Sequence, residues 1–325
     1  MANLDRDKYE VIPVGITRDG AWTPGITSGL EIVDRTLPEV ALGDELALSL
    51  NPSTKGHFYN TTTGKLHAVA DVIFPVLHGR FGEDGTVQGL FELSQIPYVG
   101  TGVLSSAAGM DKEFTKKLMV AEGLPVTPEV ILRDRDELTA AEQAELGLPV
   151  FVKPARGGSS IGVSKVSRWE DPPEAVRAAR ESDSKVIVEA ELVGDEVEVG
   201  VLQYPDGSLL ASMPAKLNNT EASDEGFYGF ETKYLDNVVT PTIPAPYEAP
   251  LISQLKEMAI ETFRALDCEG LARVDFFVTE EGPKLNEINT MPGFTPISMY
   301  PQVFKATGVP YQELLDVMIA QALQS

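Results

Sequence analysis

Two apolar, β-branched runs mark the first third of the chain, Lys8 to Thr17 (KYEVIPVGIT) and Asp71 to Leu77 (DVIFPVL). Short continuous runs of this kind predict buried strands of a parallel sheet, so the opening third is α/β text. A long polar stretch lies between them. After the second run comes HGRFGEDGTVQGLFEL, a glycine-rich turn leading into an amphipathic helix around Val87 to Ser94. Ile96 to Gly102 predicts a further short strand and an exit turn, which places a module boundary near residue 100.

Beyond that boundary one helix is predicted from about Ser105 to Glu122, stopped by Gly123 and Pro125. VFVKPARGGSSIGVSKV, residues 150–166, predicts two short strands around a flexible loop. Strands follow at VIVEAEL, EVEVGVLQ and GSLLASMPAK, then a glycine-containing loop (Asn218 to Asp236) and a helix over about Pro250 to Leu266. The hairpin LARVDFFVTEEGPKLNEIN and a closing helix, YQELLDVMIAQAL, complete the pattern, with no internal repeat. At its start, MANLDRDKYEVIP resembles the last turn of a helix running straight into a strand, so the first β-α-β unit is expected to lack its first strand.

Composition narrows the function classes. A chain of 325 residues has room for two or three modules with a sizeable core, and no apolar run approaches the roughly 20 residues of a membrane span. The formal net charge of -23 argues against a nucleic-acid partner, because phosphate backbones are held by clustered Lys and Arg. A single cysteine, Cys268, excludes an internal disulfide framework and a Cys-rich zinc site, and with no cationic apolar leader the expected location is cytoplasmic.

Candidate chemistry concentrates in the hairpin. Residues two apart share a strand face, so Arg273, Asp275 and Phe277 point one way, as do Glu287 and Asn289 on the second strand. If EEGP turns the chain, the two faces converge. Two carboxylates, an amide oxygen and a guanidinium then meet, an all-oxygen set suited to a hard cation such as Mg²⁺; a surface salt-bridge ladder is the alternative. The loop after Lys153 carries Gly157, Gly158, Ser159, Ser160 and Gly162, and either cradles phosphate through N–H groups and hydroxyls or is a plain flexible hairpin. No G-x-x-x-x-G-K-[ST] and no G-x-G-x-x-G is present, so a nucleotide would need another fold. Lys112 and Lys233, taken singly, are ordinary solvated lysines, as His57 and His67 are ordinary surface residues; His78 and Glu83 follow a predicted buried strand, where ligands of α/β sheets bind.

Taken in order, HGRFGEDGTVQG, GMDKEFTKKL, VFVKPARGGSSIGVSKV, ETKYLD, ARVDFFV and NEINTMPGFTPISMYP resemble the D-alanine–D-alanine ligases of the ATP-grasp superfamily, from about residue 4 to the C-terminus. The resemblance implies an ATP-grasp fold preceded by an incomplete Rossmann-like parallel-sheet domain. Its modules would be 1–100 on the substrate side, 101–190 as the central ATP-grasp subdomain, and 191–325 as the C-terminal ATP-grasp and metal-binding domain.

It further implies that Lys112, Lys153 and Lys233 contact ATP phosphates, that Glu189 and Leu192 face adenine and Glu196 the ribose, and that Phe151 and Phe277 sandwich the base. Asp275, Glu287 and Asn289 would hold two Mg²⁺ ions, for which Mn²⁺ can substitute. Arg273 and the Gly293 N–H would neutralise oxyanions, His78 would lie near the first D-alanine, Ser298 and Met299 would receive the carboxylate of the second, and Ser159 with Tyr234 would close a loop over the site. The implied reaction makes D-alanyl-D-alanine through an acylphosphate, for peptidoglycan synthesis, in a cytoplasmic homodimer. The family's opening strand and glycine-rich loop, with a glutamate that pairs with the first D-alanine, have no counterpart here, so the chain as given is expected to bind ATP and ligate weakly. A D-alanyl-D-lactate ligase, another ATP-grasp ligase and an inactive ATP-binding form stand beside this reading.

Overall fold

The computed structural model describes residues 3–25, 39–41, 43–158, 161–219, 239–295 and 298–324. In the C-terminal half, alternation of valine with charged residues builds a six-stranded antiparallel sheet. Its main path runs Thr240–Thr242, Ala215–Asn218, Asp195–Gln203, Leu271–Thr279, Gly282–Asn289, with Leu209–Ala211 paired to the end of Asp195–Gln203. Val197, Val199, Val201, Val274 and Phe276 point to one side and pack on Leu255, Met258, Ala259 and Phe263 of the helix Ala249–Ala265. Each such side chain contributes roughly 1.5–3 kcal/mol by leaving water. The opposite face carries Glu196, Glu198, Arg273, Asp275 and Glu287 and is left for chemistry.

One position on that charged face has no side chain. A Cβ on Gly200 would lie 2.6 Å from the Phe304 ring and 3.2 Å from the Tyr300 ring, because the helix Met299–Thr307 packs directly on the strand there. Tyr300 donates from its hydroxyl to the Val201 carbonyl at 2.8 Å.

A second sheet orders Glu129–Leu132, Val186–Ala190, Val150–Pro154 and Ser164–Val166, every pair antiparallel. Register separates its faces. Val130, Leu132, Val150, Val152, Val186 and Val188 bury against Val176 and Ala179 of the helix Pro172–Arg180. Glu129, Glu189, Phe151, Lys153 and Lys165 occupy the other face, since Glu129 and Phe151 both stand opposite Glu189 and Lys165 stands opposite Phe151.

The N-terminal part differs from expectation in its strand pairing, while the mixed α/β class holds. The first apolar run forms Val14–Ile16, paired antiparallel with Trp22–Pro24 around the Asp19–Gly20 turn, and the second contributes one parallel bridge, Ile73 to Tyr98. Pro13 and Pro75 have no N–H for a ladder, and Asp-Gly is itself a hairpin signal. The intervening polar stretch holds a three-stranded antiparallel meander, Leu46–Leu48, His57–Asn60, Leu66–Val69. Ile96 to Gly102 supplies only that bridge at Tyr98.

The helix expected over Ser105 to Glu122 is two helices, Val103–Met110 and Lys112–Ala121. Asp111 breaks it: its backbone is extended (φ −94°, ψ 102°) and its carboxylate caps the second helix by accepting from the Phe114 N–H at 3.4 Å. GSLLASMPAK likewise divides into two strands around Ser212 to Pro214. The predicted hairpin, the helix Thr86–Ser94 and the closing helix Tyr311–Ala322 stand where the pattern put them.

Candidate active site

Register aligns the charged face of the C-terminal sheet. Glu198, Asp275 and Glu287 stand in one row across three strands, and Gly200, Arg273 and Asn289 in the next. A bulge between Asp275 and Phe276 accommodates Asn286. Arg273 donates from Nε and one terminal nitrogen to the two Asp275 oxygens, each at 2.8 Å, and its Nε lies 3.3 Å from Glu198 Oε2. Side-chain exposures of 16%, 13% and 7% for Arg273, Asp275 and Glu198 rule out a surface salt-bridge ladder. Burial alone would lower the guanidinium pKa, yet the Asp275 and Glu198 charges hold it well above its ordinary value. Asn289 Oδ1 accepts from the Met291 N–H at 3.0 Å, and a small polar cleft opens beside the row, lined by Glu196, Glu198, Asp275, Asn286 and Glu287.

The glycine-rich loop and the two sheets meet at Lys112. Its Nζ lies 3.0 Å from Glu287 Oε2 and donates to the Gly157 carbonyl at 3.0 Å, while its amide donates to the Ala155 carbonyl at 3.0 Å. Being the first residue of a helix capped by Asp111, it is held in place at both backbone and ammonium. Burial opposes its charge, but Glu287 raises its pKa above the usual lysine value. Lys153, on the neighbouring sheet, pairs with Glu189, and burial nevertheless leaves its pKa lowered. Lys116 pairs with the same Glu189. Burial would push Glu189 up; the two ammoniums win and hold it at about 2. Leu192 lies half-buried just beyond that strand, and Glu196 stands opposite Phe277 on the other sheet.

A third group closes the site. A Cβ on Gly293 would lie 2.9 Å from Ser298 Oγ and 3.8 Å from His78 Nε2, so these three residues converge. Ser298 is the N-cap of Met299–Thr307, its Oγ accepting from the Thr295 N–H at 2.9 Å. The Gly79 N–H donates to the Glu83 carboxylate, fixing the loop that carries His78. Surrounding protein desolvates His78 and, with the Arg273 charge, lowers its pKa; burial raises Glu83 to about 7, helped by Glu287.

Ser159, Lys233 and Tyr234 lie outside the described residues. The remaining sequence-derived positions fall on these three groups. Among the described residues no cluster of three or more His, Cys, Asp and Glu side chains stands ready for a metal. Two residues beside the site are not among the sequence candidates. Glu198 was legible, two residues after Glu196 on an alternating strand. Lys116 sits one helical turn after Lys112, a spacing that puts both on one helix face.

Family models for the N-terminus and the C-terminus of D-Ala–D-Ala ligases match residues 1–101 and 115–320. A D-alanine–D-alanine ligase of Corynebacterium efficiens is 68% identical over 325 residues, covering 99% of this chain and 90% of its own. The VanG D-Ala:D-Ser ligase of Enterococcus faecalis superposes with a TM-score of 0.81 at 35% identity, over 99% of this chain and 92% of that one. A D-alanine–D-alanine ligase of Bacillus anthracis solved with ATP gives 0.67 at 30% identity, over 78% and 79%.

Proposed function

Because the chain belongs to the D-alanine–D-alanine ligase family, whose activity is the ATP-dependent, ADP-forming joining of two D-alanines, we propose that the three convergent groups divide that reaction between them. The observation carrying this reading is the Lys112 ammonium, which ties the glycine-rich loop to Glu287 at the junction of the two sheets. Both ATP phosphates and an acceptor carboxylate would meet there. Lys112, Lys153 and the loop N–H groups bind phosphate oxygens, with Lys233 joining them; adenine lies against Glu189 and Leu192 between Phe151 and Phe277, with Glu196 at the ribose.

Asp275, Glu287 and Asn289 are the ligands assigned to two Mg²⁺ ions, with Mn²⁺ as a substitute. The donor set fits: Asp275 and Glu287 stand directly opposite one another, offer only oxygen, and already balance two cations, Arg273 and Lys112. When bound, the metals neutralise the transferring phosphoryl group. Arg273 and the Gly293 N–H would hold the D-alanine carboxylate as it attacks the γ-phosphorus and ADP leaves, and would then face the oxyanion that develops on the acyl carbon as the second amine adds to the acylphosphate, before phosphate departs. His78 orients the first D-alanine. Ser298 and the N-terminus of Met299–Thr307 receive the carboxylate of the second, where backbone N–H groups favour an anion. Ser159 and Tyr234 exclude water from the acylphosphate.

We also assign the enzyme to the cytoplasm, where ATP is supplied, and to a homodimer, a reading supported by Leu93 and Leu104, 67% and 69% exposed on neighbouring helices. No helix among the described residues is long and apolar enough to cross a membrane. The deciding experiment measures ATP-dependent phosphate release with D-alanine alone, then with D-lactate or D-serine added, and identifies the product. D-alanyl-D-alanine is expected; a depsipeptide or a D-serine product as the main species would overturn the second-substrate reading.

A further inference from the structure

Lys116 is the most buried cation near the site and has no part in the scheme above. Its side chain is 2% exposed, and its Nζ contacts Glu189, lies 3.2 Å from Glu129 Oε2 and donates to the Thr127 carbonyl at 3.3 Å. Two of its three N–H donors are spent on hydrogen bonds to Glu189 and the Thr127 carbonyl, with Glu129 beside them at ion-pair distance, so the ammonium is anchored within the protein. Glu189 meanwhile is shared: one carboxylate oxygen faces Lys116, the other Lys153.

We propose that Lys116 is a positioning residue of the nucleotide site, holding the Glu189 carboxylate in place as a hydrogen-bond acceptor so that the site selects a 6-amino purine over a 6-oxo purine. The inference rests on the placement of adenine against Glu189. When Lys153 turns to the phosphates, one Glu189 oxygen is released toward the base and the other stays on Lys116. A carboxylate has only acceptor sites. It therefore accepts a hydrogen bond from an exocyclic amine and repels a carbonyl at the same ring position. Leaving a buried polar group mismatched in this way is a strong basis for discrimination.

The neighbouring charges agree. Glu129, directly opposite Glu189 in the sheet, is the other carboxylate on Lys116, and its pKa is raised by burial first and then by Glu189, opposed by Lys116 and Lys153. Glu189 goes the other way, to about 2. Of the pair, Glu189 is therefore the one whose negative charge the lysines hold more firmly. Lys116 lies on the helix face that also carries Lys112, so the same helix presents one lysine to the phosphates and one to the base acceptor.

The test measures D-alanine-dependent phosphate release with ATP and with inosine triphosphate, whose ring differs in carrying a 6-oxo group. In Lys116→Met, the ATP KM should rise roughly tenfold or more and the ATP preference in kcat/KM fall by a similar factor, with kcat at saturating ATP within about threefold and the D-alanine KM unchanged. An unchanged ATP preference, or an equal loss of kcat with both nucleotides, overturns the proposal. Should that variant not fold, Lys116→Gln decides: the amide can still reach Glu189 but brings no charge to hold it, so the ATP preference should fall by a smaller factor, and an unchanged preference overturns the proposal. Glu189→Gln separates the two readings. If it leaves the preference intact, adenine does not lie at Glu189; if it shifts the preference while Lys116→Met does not, only the role of Lys116 is lost.

Discussion

Arg273 holds Asp275, two residues along the same strand, by a two-pronged contact with both bonds at 2.8 Å. A flat guanidinium makes that fork and a lysine cannot. Arg273→Lys keeps the charge and removes the geometry, so kcat is expected to fall by roughly 10²–10³, the scale of losing one oxyanion contact. Steady-state kinetics beside a thermal melt check this, and an unchanged kcat would remove Arg273 from the oxyanion role.

Glu287 faces Lys112 on one side and Asp275 on the other. Glu287→Ala should abolish turnover at every Mg²⁺ concentration while ATP-free protein stays folded. A Mg²⁺ titration of phosphate release reads it, and activity recovered at high Mg²⁺ would refute the ligand assignment.

Gly200 is required by the helix lying on it. Gly200→Ala places a methyl 2.6 Å from Phe304 Cε2, in a region where Phe304 and Tyr300 are fully buried. Overpacking of this kind costs about 1–3 kcal/mol. A lowered unfolding midpoint in urea is expected, together with a raised KM for the second D-alanine, because Ser298 rides on the same helix.

Acid should weaken the packing of the helix Lys112–Ala121 and the four-stranded sheet through Glu113 and Glu189. Both are held at about 2, below the ordinary glutamate value of 4.5: burial opposes the shift, and in Glu113 the Lys117 and Lys185 contacts outweigh it. A depressed folded pKa contributes stability that is full above 4.5 and disappears as pH falls toward 2. Melting temperature against pH should therefore drop across that window, and Glu113→Gln should lower the midpoint at pH 7 and flatten the drop. A parallel shift of the whole curve would exclude this linkage.

The hairpin was legible because strict alternation decides which residues share a face, and every ligand candidate lies on strands with that period. The N-terminal part was less so. Its strands are short and half-buried, with Leu66 and Val69 about half exposed, which blurs a two-residue period. Asp111 interrupts a helix whose apolar spacing runs on without a break, so the cap was hidden by its neighbours. The pairing of Lys116 with Glu129 and Glu189 joins three segments distant in the chain, and only the register of the sheet brings them together.

Lys112 also changes how cation affinity should be understood. With its ammonium 3.0 Å from Glu287, the protein carries a built-in counterion at the position a metal would claim. Loading would then be an exchange, in which phosphate draws off the lysine and frees the carboxylate. Metal and nucleotide would arrive as a mutually dependent pair, and a metal titration without nucleotide would measure the displacement of a lysine rather than the filling of a vacant site.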